Sequence, residues 1–331
     1  MRDFNRPGVT SGGSWRREIV NRAKGYSIEE RAAILQKAMY RAQPTFDDFR
    51  GCPGYSNDML GRDAQKLKEK EARIARNNKG KSGEAWSDRW SAQAEPILTY
   101  VMNTDSFLST RDSFAFLAHE YDDKYNGTDI VFCVMGKDKR YMTFSVDVAT
   151  GTSSDNIRKK FDESAQSHGG TPPMAAYVKY CVHGGRHWKE SEAPQFILGM
   201  MPSRLDDATG AVDIKEGLIA GREADPKTDF KLLSEMREQI IMQLAILKNE
   251  KNPANESRMN KLRELISAVN TRLAEICGVK GDTNEERIAD YGRKYKKMMG
   301  QMREDLVYKN IVDEAIRRTN MARGKKVRNA A

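Results

Sequence analysis

Residues 129–149 read DIVFCVMGKDKRYMTFSVDVA, and this stretch decides the fold class of the chain. The runs at 129–135 and 141–149 are rich in β-branched and aromatic residues, which favour strands. The short polar segment GKDKR between them is typical of a turn. The sequence therefore predicts a β-hairpin that brings the start of the first strand beside the end of the second.

Helices are expected on both sides of this hairpin. In SFAFLAHEYDD (113–123), the apolar residues Phe114, Leu117 and Tyr121 recur at the three- and four-residue spacing of one helix face. The segment GTSSDNIRKKFDESAQS (151–167) carries a similar apolar stripe of Ile157, Phe161 and Ala165. Both segments therefore predict helices.

Two further apolar runs, YVKYCVH (177–183) and QFILGMM (195–201), predict strands that complete the sheet. A strand, helix, strand step implies a parallel pair with a right-handed crossover. The 177–183 strand is therefore expected to pair in parallel with the 141–149 strand. The predicted fold class is an α/β (α+β) core in which helices flank a small mixed sheet.

The two ends of the chain differ from this core. Residues 1–82 begin with a Gly/Ser-rich stretch, expected to be disordered, and contain predicted helices at 28–42 and 63–78. Residues 226–331 carry apolar side chains at heptad spacing, which predicts a coiled-coil-like helical hairpin and then a long basic helix to about Met321. This all-α region is expected to form a homo-oligomer or to pack on the core.

Charge divides the 331 residues into the same three regions. The net charge is +8 over 1–82, −7 over 83–225 and +8 over 226–331. Basic surface attracts phosphate through counterion release, so a nucleic acid, DNA or RNA, is the expected partner. The basic residues from Arg317 onward are expected to contribute to that binding.

Several classes of protein are excluded by what the sequence lacks. It has no apolar run of about 18 residues, which a transmembrane helix needs, and no apolar stretch near the N-terminus typical of a secretory signal. The four cysteines lie far apart and form neither a disulfide framework nor a CxxC motif. The cluster of Cys181, His183 and His187 lacks the fourth ligand of a zinc site. A cytoplasmic protein is expected, without a membrane partner.

Three carboxylates fall at the ends of predicted elements. Glu120 lies near the end of the first helix, Asp129 opens the first hairpin strand, and Asp147 lies near the end of the second. A short hairpin brings Asp129 and Asp147 side by side, and alternation places Asp147 on the same face as Thr143 and Ser145. Hard oxygen ligands suit Mg²⁺ or Mn²⁺, which polarise a phosphodiester and lower the pKa of an attacking water. The sequence predicts a metal site made of Glu120, Asp129 and Asp147.

This order of acids, strands and helices over roughly residues 100–202 resembles the PD-(D/E)XK nuclease superfamily. The resemblance implies that Asp129 and Asp147 are the first and second catalytic acids and that Glu120 is the helix acid that many members add. The family's lysine stands two residues after the second acid, where this chain has Ala149. Because some members supply the lysine from a neighbouring element, Lys160 and Lys179 are the candidates to hold the attacking water or neutralise phosphate.

Two functions are compatible with these features. The first is a Mg²⁺- or Mn²⁺-dependent nuclease, catalytically silent if neither lysine reaches the acids. The alternative is a non-catalytic nucleic-acid-binding or structural assembly protein that oligomerises through its C-terminal helices. The two are distinguished by whether the carboxylates of Glu120, Asp129 and Asp147 converge with a lysine beside them.

Overall fold

The computed structural model describes residues 28–78, 86–104, 107–108, 112–166, 175–200, 226–250 and 255–328. Helices flank a mixed sheet of five strands in these residues, which confirms the predicted fold class. The helices have these bounds: α1, Ile28–Ala42; α2, Asn57–Asn78; α3, Trp86–Met102; α4, Glu120–Asn126; α5, Ser154–Gln166; α6, Pro226–Asn249; α7, Asn255–Ile276; α8, Asn284–Met302; α9, Leu306–Arg328. The strands have these: β1, Ser113–Leu117; β2, Ile130–Met135; β3, Tyr141–Ala149; β4, Ala175–His183; β5, Arg186–Gly199.

The sheet has the strand order β1-β2-β3-β5-β4. The predicted hairpin is present as β2 and β3, and β1 pairs with β2 antiparallel. The prediction that the 177–183 strand lies beside β3 is wrong, because the parallel neighbour of β3 is the second half of β5. The long strand β5 makes this possible: its first half forms a hairpin with β4, and its second half continues along β3.

The predicted helix at 113–123 is also wrong. Residues 113–117 form strand β1, which pairs with β2 over its whole length, and a short helix begins only at Glu120. Alternation along β1 places Ala115 and Leu117 in the main core, while Phe114 and Phe116 pack on the opposite face. An apolar run this short fits the strand period as well as the helix period, so spacing alone could not decide.

Each face of the sheet is covered by different elements. Phe132, Phe144 and Phe196 belong to the main core, which also takes buried side chains from α1, α3, α6 and α7. On the other face, Val131 and Cys133 lie in a cluster with apolar residues of β4 and β5. The β4–β5 hairpin therefore curls over one end of this second face and leaves the other end for α5 and α9.

Helix α6 covers the edge of β5 that β4 leaves unpaired. The Gln239 amide bonds both backbone groups of Ile197, with Nε2 donating to the carbonyl at 2.7 Å and Oε1 accepting from the N–H at 2.8 Å. Side chains at four-residue spacing on the same helix repeat the pattern. The further bonds are Lys231 to the Gly199 carbonyl, the Gly199 N–H to Glu235, and Gln243 to the Gln195 carbonyl.

These four side chains, Lys231, Glu235, Gln239 and Gln243, are called the α6 ladder below. The spacing works because four helical residues advance about 6 Å, close to the roughly 6.6 Å that two strand residues span. Polar side chains thereby satisfy backbone groups that would otherwise be buried without partners, at a cost of about 1–3 kcal/mol each.

The C-terminal region forms the predicted hairpin, α6 and α7, but the single long helix is interrupted. Arg303 ends α8, and the Asp305 carboxylate accepts the backbone N–H of Tyr308 at 3.0 Å, which starts a separate helix α9. The apolar seam of α7 packs on the protein's own core. One buried cluster thus takes side chains from all three charge regions. No described helix is long and apolar enough to cross a membrane.

Candidate active site

Asp129 and Asp147 lie close together at the end of the β2–β3 hairpin. The regular register ends where Ile130 pairs with Val146. Asp129 departs from that register, since its N–H donates to the Val146 carbonyl at 2.9 Å, and its Oδ2 accepts from the Val148 N–H at 2.6 Å, so it bonds β3 on both sides of Asp147. The predicted juxtaposition of the two aspartates is therefore present.

Burial and proximity determine the protonation of this pair. Burial, together with the neighbouring carboxylates of Asp147 and Glu95, raises the pKa of Asp129 well above its usual range. Burial also raises the pKa of Asp147, but the Lys160 ammonium and a hydrogen bond from Asp129 act in the opposite direction. The causes that raise the pKa are therefore less opposed at Asp129 than at Asp147, and a proton held by the pair favours Asp129.

Lys160 on α5 supplies the positive charge of the site. The helix buries Ile157 and Phe161 under the sheet, and this orientation directs Lys160 to an ion pair with Asp147. The preceding residue, Lys159, points away: its side chain is 73% exposed and pairs with Glu163 at 3.6 Å. Burial opposes the charge on Lys160, but Asp147 and Asp129 raise the pKa of its ammonium.

Ala149, at the position of the family's lysine, is buried in the same cluster as Ile157 and Phe161. A lysine there would place its charge in an apolar environment, which is strongly unfavourable. The neighbouring helix α5 instead brings an ammonium to Asp147. Of the two candidate lysines, the structure brings Lys160 to the acid pair.

Lys179 lies in a different environment. Its strand β4 is two positions from β3 in the sheet, and its ammonium pairs with Asp63 on α2. Its Nζ also lies 5.2 Å from the ring centroid of Tyr121 and 5.7 Å from that of Tyr180. The expectation that Lys179 stands beside Asp147 failed because it assumed that β4 pairs with β3.

The third acid of the cluster is Glu95 on α3, and sequence reasoning missed it. Glu120 is exposed in the first turn of α4, whereas the carboxylates that raise the pKa of Asp129 are Asp147, Glu95 and Asp123. The structure therefore replaces Glu120 with Glu95 in the acidic cluster. A signal was present in the sequence, because Glu95 lies within AQAEPILTY, where the apolar residues that follow mark the buried face of a helix.

The environment of Glu95 shifts the pKa of its carboxyl group to near neutral pH. Burial and the neighbouring Asp123 raise the pKa of Glu95 to about 7, while the Tyr40 hydroxyl donates a hydrogen bond to Oε2 at 3.2 Å. Lys124 and Lys160 act against this rise. Glu95 is thus poised to exchange a proton when the local charge changes.

The residues of the suggested zinc cluster do not converge. His183 stacks on Phe114 at a centroid distance of 3.7 Å, whereas His187 packs against Phe49 at 5.4 Å. The two histidines fall on opposite faces, because β4 pairs His183 with Arg186 and Val182 with His187.

The oxygen donors of Asp129 and Asp147 fit a magnesium ion that also binds water and substrate phosphate. Within the described ranges, no three His, Cys, Asp or Glu side chains are arranged as a set of metal ligands. Mg²⁺ does not require such a set, since it usually binds one or two protein carboxylates and completes its shell with water and substrate phosphate. The donor set fits an ion shared with a phosphate substrate, and it does not fit a cage built entirely by the protein.

Comparison with family models, with curated proteins and with solved structures gives no match for this chain. The geometry of Asp129, Asp147, Lys160 and Glu95 is therefore the basis for a function.

Proposed function

We propose that the protein is a metal-dependent nuclease that cleaves phosphodiester bonds in nucleic acid, as its resemblance to the PD-(D/E)XK superfamily implies. One observation carries the proposal: two cross-strand aspartates at a hairpin end meet a lysine from the following helix. Glu95, on the helix that precedes the sheet, is close enough to perturb Asp129. The family's order of helix acid, hairpin and helix is kept. Helix α3 carries the acid, a role predicted for residues 113–123.

Asp129 and Asp147 would hold Mg²⁺ or Mn²⁺. The ion, when bound, would polarise the phosphodiester and lower the pKa of an attacking water. The pair binds a cation in its deprotonated form. The charge on Glu95, whose pKa is about 7, also acts on Asp129 and so on the loss of its proton.

Lys160 has two roles in this proposal. It pairs with Asp147, and its positive charge lowers the pKa of that carboxyl group against the effect of burial. With substrate present, an ammonium at this position would neutralise charge that develops on the phosphate. The side chain is 34% exposed, which leaves room for it to turn toward a ligand.

The test is a cleavage assay on a supercoiled plasmid and a single-stranded oligonucleotide with Mg²⁺, Mn²⁺ or EDTA. We expect cleavage with either metal and none in EDTA. The Asp147→Ala variant should lose at least about 100-fold in rate, because it removes a ligand of the ion that would polarise the phosphodiester. Circular dichroism must show that this variant still folds.

A matched pair of variants separates the two candidate helix acids. Glu95→Gln should reduce cleavage strongly, whereas Glu120→Gln, on an exposed residue, should cleave like the original protein. The opposite result would return the acid role to Glu120. If the protein binds nucleic acid but cleaves neither substrate with any metal, the nuclease proposal fails and a non-catalytic binding protein remains.

A further inference from the structure

A row of positive charges runs along one side of α2. Lys66, Lys70 and Arg73 are four and three residues apart, so they share one face of the helix over a length of about 10 Å. Lys124 on α4 continues the row, because the Lys70 ammonium donates a hydrogen bond to the Lys124 carbonyl. These four residues are called the α2–α4 cationic patch.

Tyr125 fixes the position of this patch relative to the rest of the fold. Its hydroxyl donates to the Lys66 carbonyl at 2.8 Å, and the Lys70 Nζ lies 4.4 Å from its ring centroid. The other aromatic contact of Tyr125 is a stacked one with Tyr121 at 4.8 Å. The charges on α2 are therefore held against α4 by specific contacts, and the cation–π contact orients Lys70.

The positive charges of the patch outnumber the one carboxylate on the same face of α2, the exposed Glu69, which accepts a hydrogen bond from Gln65 at 2.8 Å. Lys66 and Arg73 are exposed, and no carboxylate in the described part of the chain lies within ion-pair distance of either. Burial and the nearby charges of Arg73 and Lys124 lower the pKa of Lys70. Among the described carboxylates, Asp123 pairs with a cation of the patch, Lys124, at 2.6 Å.

The patch adjoins the candidate active site. Although burial opposes its charge, Lys124 has a raised pKa because Asp123, Glu95 and Asp129 are close to its ammonium. Lys124 thus stands at the boundary between the basic row and the acidic cluster. Because Lys70 bonds the Lys124 backbone, the basic row and the acidic cluster meet at that residue.

We propose that the α2–α4 cationic patch binds the phosphate backbone of a nucleic-acid strand and directs one phosphodiester to the Asp129–Asp147 pair. This inference rests on the proposed nuclease function for its second half. An extended row of charges matches a polymer of phosphates better than a single small anion. The row also offsets the repulsion that the negatively charged central region would exert on phosphate.

The test compares two double variants that remove the same charge from different helices. Lys66→Gln with Arg73→Gln alters the patch, and Lys296→Gln with Lys297→Gln alters exposed positions on α8. Binding of a labelled duplex and of the matching single strand is measured by fluorescence anisotropy in EDTA, so that no cleavage occurs. A salt titration then gives the slope of log affinity against log salt.

The patch variant should bind the duplex about tenfold more weakly, and its slope should fall by about 1.8, or 0.9 for each of two lost phosphate contacts. The α8 variant should keep the slope of the original protein. Equal losses in both variants would show diffuse attraction and overturn the patch. Loss of single-strand binding alone would restrict the partner to unpaired nucleic acid.

A cleavage arm with Mg²⁺ separates failure of the patch from failure of the nuclease proposal. If the protein cleaves and the patch variant binds normally, the patch is refuted and the nuclease stands. If no cleavage occurs but the patch variant loses binding, the nuclease is refuted and the binding surface stands. If the patch proposal and the nuclease proposal are both correct, the patch variant should show a raised KM with kcat unchanged.

Discussion

At the residue scale, two adjacent lysines on α5 have different surroundings. Lys160 reaches Asp147 because Ile157 and Phe161, three residues before and one after it, fix which side of the helix faces the sheet. Lys159 is rotated by about 100° and meets only Glu163 and solvent. The pair offers an internal comparison in which charge and helix propensity are equal and only position differs.

We expect Lys160→Gln to lower the cleavage rate about 100-fold and Lys159→Gln to leave it unchanged. Without the ammonium, the pKa of Asp147 rises further, so the ionised carboxylate appears only at higher pH. The acid limb of the pH–rate profile of Lys160→Gln should therefore move to higher pH. An unchanged limb would mean that another group governs the ionisation of Asp147.

The sequence was sufficient to predict the two aspartates of this site and misleading about its third acid. Asp129 and Asp147 follow from the hairpin alone, because strand pairing fixes which residues face each other. Glu95 depends on the packing of α3 against the sheet: the apolar residues after it indicate a buried helix face but not what that face meets. The preference for Glu120 came from assigning a helix to residues 113–123, where strand and helix spacing coincide.

At the element scale, α6 joins the sheet through side chains in place of a sixth strand. Its heptad seam was predicted, and Leu233, Met236 and Ile240 are indeed buried. The α6 ladder on another face was not predicted, because polar residues at four-residue spacing ordinarily indicate a solvated face. The sequence does not show that β5 extends beyond its pairing with β4. The backbone groups on that side of its last residues therefore need hydrogen-bond partners from another element.

Glu235 in this ladder should make the stability of the protein depend on pH. Burial is the main cause that raises the pKa of Glu235 to about 8 from an ordinary value of 4.5. A raised pKa in the folded state means that its stabilisation is complete below pH 4.5 and is lost as pH rises toward 8. By linkage the full loss is about 5 kcal/mol at most.

Glu235→Gln keeps an oxygen for the Gly199 N–H but has no charge to bury. We expect the free energy of unfolding of this variant to exceed that of the original protein by an amount that grows from pH 5 to pH 8. Urea denaturation at pH 5, 7 and 9 measures the difference. A difference in the free energy of unfolding that stays constant across this pH range would show that the pKa of Glu235 does not differ between the folded and unfolded states.

At the scale of the whole molecule, the C-terminal helix α9 contacts α5, the helix that carries Lys160 of the candidate active site. Arg318 on α9 pairs with Asp162 on α5 at 2.6 Å and with Glu314 at 2.6 Å, and its guanidinium lies 5.3 Å from the Phe161 ring centroid. Arg317 also pairs with Glu314. These two arginines, first assigned to phosphate binding as part of a basic tail, are engaged within the fold.

Two truncations should therefore behave differently. Removal of residues 325–331 deletes Lys325, Lys326 and Arg328 and should leave the melting temperature unchanged. Removal of residues 317–331 also deletes Arg318, so it should lower the melting temperature by about 5 °C and weaken cleavage by loosening α5. Thermal melts and cleavage assays of both proteins provide the check. Equal melting temperatures for the two would show that Arg318 does not hold α5.

The edge of β5 also has a consequence for synthesis of the chain. Strand β5 is complete at Gly199, but Gln239 and Gln243, which cover its outer edge, are made some 40 residues later, a delay of about 2–8 s at ordinary translation rates. During that interval a nascent chain presents bare strand groups to its neighbours on the same polysome. Protection of this edge in cells therefore depends on translation speed, and slow codons between the two segments should increase co-translational aggregation.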